Sequence, residues 1–64
     1  MILTNFDYYD NEKSAYVLYS TEFLHLTTNG LVIINDNGMR WSCYIDSVKY
    51  IKKCNKYKYV FKVI

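Results

Sequence analysis

Two Asn-Gly dipeptides, Asn29-Gly30 and Asn37-Gly38, stand eight residues apart and cut the middle of the chain into three short apolar runs. A type I′ turn needs positive φ at both central residues, and Asn-Gly meets that need with little strain, so each pair predicts a two-residue hairpin loop. Two such loops predict a three-stranded meander. Because side chains alternate along a strand, the loops also predict which residues share a face. With Asn37-Gly38 as the loop, Asp36 faces Met39, Ile34 faces Trp41 and Val32 faces Cys43, and the alternate pairs are Asn35–Arg40, Ile33–Ser42 and Leu31–Tyr44. With Asn29-Gly30 as the loop, Thr28 faces Leu31, Leu26 faces Ile33, His25 faces Ile34 and Phe23 faces Asp36. One face then carries Phe23, His25, Val32, Ile34, Trp41, Cys43 and Ile45; the other carries Leu24, Leu26, Leu31, Ile33 and Tyr44. Both faces are apolar.

The flanks also read as strands. Ala15–Ser20 is rich in Tyr, Val and Leu. In Tyr57–Ile64, Tyr57, Tyr59, Phe61 and Val63 fall on one side and Lys56, Lys58 and Lys62 on the other. Ile2–Phe6 is a weaker strand. Around the segment Asp46–Lys53 the apolar positions Ile45, Val48 and Ile51 recur every third residue, which suits a short helical turn capped by Asp46 or Ser47. The competing reading there is a bulged strand from Val48 to Cys54. The expected fold is all-β: five or six antiparallel strands in a small barrel or strongly bent sheet, with the three-stranded meander at its centre.

The run Leu31–Val63 resembles the strand pattern of small bacterial pleckstrin-like and SH3-like barrels, in which a hairpin leads to an Ile-Asp-x-Val-type turn and a closing strand. Here those parts are Ile45-Asp46-Ser47-Val48 and Tyr57–Val63. The resemblance rests on hydrophobic spacing and implies a curled sheet.

Sixty-four residues make one domain, spanning 1–64, near the size below which a single core needs staples. Apolar residues make up 52% of the chain and aromatic residues 19%, enough to build that core and to exclude a disordered chain. The aliphatic run Leu31–Ile34 is far too short for a membrane span, and no apolar run exceeds five residues. No basic n-region or long apolar h-region follows Met1, so the expectation is a soluble, cytoplasmic protein without membrane association. The cysteines Cys43 and Cys54 are expected to be free thiols acting as small buried hydrophobes.

Little in the chain points to catalysis. His25 is the one imidazole, and glycine-rich phosphate loops, paired carboxylate motifs and nucleophile elbows are missing. No ligand spacing supports a metal, and no cofactor is expected. Binding is the expected mode of action. The loop Asp7–Glu12 is too polar for a core yet holds adjacent tyrosines, which marks Tyr8, Tyr9 and Asp10 as a candidate protein contact. Leu24, Leu26, Leu31 and Ile33 form the candidate self-association face of a homodimer, since a face left uncovered on so small a chain marks an interface. Charge is uneven: residues 1–32 carry −3 and residues 33–64 carry +5. Lys53, Lys56, Lys58 and Lys62, with Lys49 and Lys52 nearby, are therefore the alternative candidate, a single-stranded nucleic-acid surface. Heavy use of Lys, Asn, Tyr and Ile fits an A- and T-rich coding sequence. Together these features favour a phage or mobile-element inhibitor that blocks a host defence or nucleic-acid-processing protein, acting in the host cytosol.

Overall fold

A computed structural model describes residues 2–26 and 30–64. Its strands are β1 (Ile2–Leu3), β2 (Tyr8–Asp10), β3 (Ala15–Ser20), β4 (Leu31–Asp36), β5 (Met39–Ile51) and β6 (Lys56–Val63). They form one mixed six-stranded sheet in the order β1-β4-β5-β6-β3-β2. All neighbours are antiparallel except β1 and β4, which run parallel. The sheet is an open half-barrel, and no helix occurs among the described residues.

The curl follows from chain connectivity. β1 and β2 are the opposite edges of the sheet, yet only residues 4–7 separate them. Six strands laid flat at the usual spacing would put those edges about 24 Å apart. Five extended steps from Leu3 to Tyr8 reach about 18 Å at most. The sheet must therefore roll until one short segment can touch both edges.

β5 is where it rolls. The first half of this strand pairs with β4 and the second half with β6, and Cys43 and Tyr44 are the residues with register partners on both sides. Between Ile45 and Ser47 the register with β6 shifts, leaving Asp46 as the extra residue of a β-bulge. Such a bulge bends the strand and increases its twist. The helical turn predicted here does not form: the apolar residues that recur every third position belong to a strand whose side-chain parity changes at the bulge. Val48 and Tyr50 thereby come opposite Tyr59 and Tyr57.

The Asn37-Gly38 loop is as predicted, with φ of 53° and 89° at its two residues, and all six predicted β4–β5 pairs occur. Asn35 Oδ1 accepts a hydrogen bond from the Gly38 amide at 3.1 Å and closes the turn. The other two hairpins use four-residue loops that carry no Asn-Gly signal. In each, the last loop residue (Ser14 at φ 52°, Asn55 at φ 54°) takes the left-handed conformation. Asp10 Oδ1 organises the first of these loops by accepting from the amides of Glu12 and Lys13.

The partner predicted for β4 on its other side is replaced. Ile2 and Leu3 of β1 pair with Ile33 and Ile34, the places expected for Leu26 and His25. The Asn29-Gly30 loop and the Thr28–Leu31 pair involve residues 27–29, outside the described residues. The meander at the sheet centre is thus β4-β5-β6, one strand later than predicted. Phe23–Leu26 is not in a strand, so its facing is no longer tied to the β4 register.

The core lies on the inner face of the half-barrel. Tyr16, Leu26, Val32, Ile34, Cys43, Tyr59 and Phe61 form one buried cluster, with Leu3, Phe6, Leu18, Leu24, Ile45, Tyr57 and Val63 packed around it. The Leu24 amide donates to the Tyr59 hydroxyl at 2.6 Å, tying the 21–26 segment over the core and giving the buried phenol a partner. Phe61 is fully buried at its centre. Phe61→Ala should cost about 3–5 kcal/mol, enough to unfold most of a population of a domain this small, as a urea titration followed by far-ultraviolet circular dichroism would show.

Candidate functional site

Register divides the sheet into two faces with different chemistry. The outer face carries Ile2, Leu31, Ile33, Tyr44 and Ile64 at one end. Ile2 pairs with Ile33, Ile33 with Ser42 and Leu31 with Tyr44, while the Ile64 amide donates to the Ser42 carbonyl at 2.9 Å. An apolar patch therefore crosses β1, β4 and β5 and reaches Ile64, the residue after β6. Leu31 is 47% exposed, Ile33 37% and Tyr44 40%.

The predicted self-association set is split by this arrangement. Leu31 and Ile33 lie in the outer patch, whereas Leu26 is buried in the core and Leu24 packs against it. The cause is the replacement of 23–26 by β1 at the β4 edge, which frees those leucines to turn inward.

Further along the outer face the surface becomes basic. Lys13, Lys49, Lys58 and Lys62 surround one hollow with Asp46, Ser47 and Val60. Lys53, Lys56 and Lys58 border a second with Asp7, Tyr19, Ile51 and Cys54. Lys58 belongs to both, so the hollows adjoin. The tyrosines of β6 face inward, as its alternation predicts, but aromatic groups reach the lysine face from elsewhere. Tyr19 pairs with Lys58, and Tyr8 pairs with Val17 on the same face. Sequence periodicity within β6 could not reveal this, because the aromatic neighbours come from strands distant in the chain.

Tyr8, Tyr9 and Asp10 form edge strand β2 rather than a loop. Their alternation separates them. Tyr8 lies on the outer face, Tyr9 lies on the inner face with its ring 4.7 Å from that of Tyr16, and Asp10 is engaged in its turn.

On the inner face, where the half-barrel opens, Tyr9, Tyr16, Asp36, Trp41 and Val63 line a cleft of ≈ 250 Å³. The Tyr16 hydroxyl donates to Asp36 Oδ2 at 2.9 Å. That bond joins β3 to β4 across the interior, over two intervening strands. Phe6 packs edge-on against Tyr16, centroid to centroid 4.7 Å. Burial, then the hydrogen bond to Asp36 and its negative charge, push the Tyr16 phenol up to about 12. Trp41 and Asp36 were placed by the Asn37-Gly38 hairpin; Tyr16 reaches them only through the tertiary fold.

Both cysteines are free thiols. Cys43 is buried, with its pKa raised by that burial, and its thiol donates to the Trp41 carbonyl at 3.6 Å. Cys54 lies exposed in the β5–β6 loop, contrary to the expectation of two buried cysteines. The turn-forming run Lys52–Asn55 carries it out of the sheet. His25 is exposed too, with its ring edge-on to Phe23 at 5.4 Å rather than opposite Ile34. Among the described residues no three His, Cys, Asp or Glu side chains gather as a metal site. No family model matches the chain, and neither the curated proteins nor the solved structures provide a match.

Alkylation of the native protein should label Cys54 alone, with Cys43 becoming reactive only on unfolding, a difference that mass spectrometry after timed labelling reads directly. A second expectation concerns Tyr16. The folded chain holds this proton to about 12, whereas the unfolded chain releases it near 10.0. Between those values the unfolded state binds fewer protons, so stability is fully present below pH 10 and falls as pH rises towards 12. Urea midpoints taken across that range should fall more steeply for the wild type than for Tyr16→Phe.

Proposed function

We propose that this chain is a small non-enzymatic binding protein that acts by docking its outer-face apolar patch on another protein and blocking the surface it covers. The observation that carries this reading is the patch of Ile2, Leu31, Ile33, Tyr44 and Ile64, exposed on three adjacent strands and on the residue that follows β6. Exposed apolar side chains gathered on one face mark an interaction surface, whereas scattered ones do not. A rigid sheet presents them with little ordering cost on association. Tyr44, opposite Leu31 and beside Lys62, supplies the kind of aromatic anchor that dominates interface energetics. Size and the Lys-, Asn-, Tyr- and Ile-rich composition support the more specific version, a phage or mobile-element inhibitor of a host defence or nucleic-acid-processing complex. A homodimer through the same patch is the form of self-association this reading includes.

One observation favours a second reading. Tyr8 and Tyr19 share the outer face with Lys49, Lys56, Lys58 and Lys62, combining the basic track and aromatic platforms used to hold single strands. Such binding would be steeply salt-dependent and tolerant of sequence.

The test compares tagged wild type, Ile33→Lys and Lys56→Glu/Lys58→Glu/Lys62→Glu in pull-downs from host lysate, with and without nuclease. Ile33 is already exposed, so its replacement should leave the circular dichroism spectrum unchanged. A stoichiometric protein partner that survives nuclease, is lost with Ile33→Lys and is kept by the triple variant is the expected result. Partners that vanish with nuclease and with the triple variant would replace docking by nucleic-acid binding.

A further inference from the structure

We propose that the inner-face cleft between Tyr9, Tyr16, Asp36 and Trp41 is a receptor for a guanidinium group. It lies on the opposite side of the sheet from the apolar patch and does not rest on the docking reading above.

The walls of the cleft are aromatic and its polar group is anionic. Tyr9 and Trp41 are each roughly two-fifths exposed, so their rings form the mouth, while Tyr16 is almost wholly buried and forms the floor. Aromatic faces carry negative potential and attract a cation held over them, tryptophan most strongly. Asp36 adds a full negative charge beside them. No basic side chain lines the cleft, although the chain has net charge +2. Arg40 is adjacent in sequence to Trp41, but alternation sends it to the outer face, where it pairs with Asn35. The lysines of β6 are outward as well. A cation for this cleft must therefore come from outside the described chain.

The polar geometry selects among cations. An ionised carboxylate can accept about four hydrogen bonds, and Tyr16 supplies one of them. A ligand that brought charge without N–H groups, such as a quaternary ammonium, would shield Asp36 from water and leave it short of donors, at a cost in affinity. A lysine ammonium brings donors but is compact and strongly hydrated. A guanidinium is planar, weakly hydrated and rich in donors, so it can stack against Trp41 or Tyr9 while its edge meets Asp36. The Tyr16–Asp36 bond, with Phe6 packed behind Tyr16, holds the carboxylate in place before any ligand arrives.

Trp41 is the single tryptophan of the chain, so its fluorescence reports on this cleft without labelling. The probes are N-acetylarginine amide, N-acetyllysine amide and N-acetylcitrulline amide, the last matching arginine in shape but uncharged. The expected result is a saturable change with the arginine probe, with affinity about tenfold weaker for the lysine probe and at least about tenfold weaker for citrulline. Asp36→Asn keeps an oxygen that can accept from Tyr16 and should weaken arginine binding by about tenfold. Tyr9→Ser removes one wall from an exposed edge strand and should weaken it several-fold, which covers the case in which Asp36→Asn fails to fold. Absence of a saturable arginine response would overturn the proposal. So would equal responses to arginine and citrulline, or unchanged arginine binding in folded Asp36→Asn or Tyr9→Ser. Ile33→Lys should leave this binding untouched, so the fate of the cleft and that of the apolar patch are read separately.

Discussion

Residues 4–7 join the two edges of a sheet that, laid flat, would be wider than the segment can span. That mismatch governs everything else in the molecule. It requires the sheet to roll, and the β5 bulge at Asp46 supplies the bend. Rolling creates an inner face narrow enough for Tyr59, Phe61, Ile34 and Cys43 to bury one another with few residues. The same segment is secured at β3, where the Asp7 amide donates to the Val17 carbonyl at 2.8 Å and Asp7 Oδ2 accepts from the Tyr19 amide at 2.6 Å. The N-terminal segment thus works as a clasp, and the curvature of the sheet is the consequence of its shortness.

Curvature also separates the surfaces by chemistry. Inside, buried phenols keep their hydroxyls satisfied: Tyr59 by the Leu24 amide and Tyr16 by Asp36. The Tyr16–Asp36 bond connects strands that are not neighbours in the sheet, so it stiffens the open side of the half-barrel while shaping a cleft there. Outside, Ala15 and Val17 of β3 are buried, but Leu31, Ile33 and Tyr44 at the other end are exposed. The apolar end of the sheet lies over β1 and β4 and its basic part over β5 and β6. Among the described residues no further element lies over Leu31, Ile33 and Tyr44 on that face.

Legibility in the sequence followed the range of the interaction concerned. Local chemistry was readable: Asn37-Gly38 determined a turn, the turn determined a register, and the register put Val32, Ile34 and Cys43 on the buried face and Leu31, Ile33 and Tyr44 on the exposed one. Alternation in β6 likewise separated Tyr57, Tyr59, Phe61 and Val63 from the lysines. The reading that set segment 23–26 beside β4 as its neighbour in the sheet does not hold. Leu24 and Leu26 were grouped with Leu31 and Ile33 on that assumption, but the short strand at the N-terminus occupies the β4 edge instead. The spacing of three from Ile45 to Val48 imitates a helix because a bulge inserts one residue into a period of two, whereas Ile51 falls on the outer face opposite Lys56.

By itself the sequence determined the fold class, the central hairpin and its register, the inward row of β6, and the basic character of the C-terminal half. Those properties depend on backbone conformational preference and side-chain alternation, which act over a few residues. Only the tertiary structure decided that β1 pairs in parallel with β4, that Tyr8 and Tyr19 join the lysine face, and that Tyr16 meets Asp36 beside Trp41. Each of those contacts joins segments well separated along the chain. Their selection depends on how the whole sheet closes, and no local pattern encodes that closure.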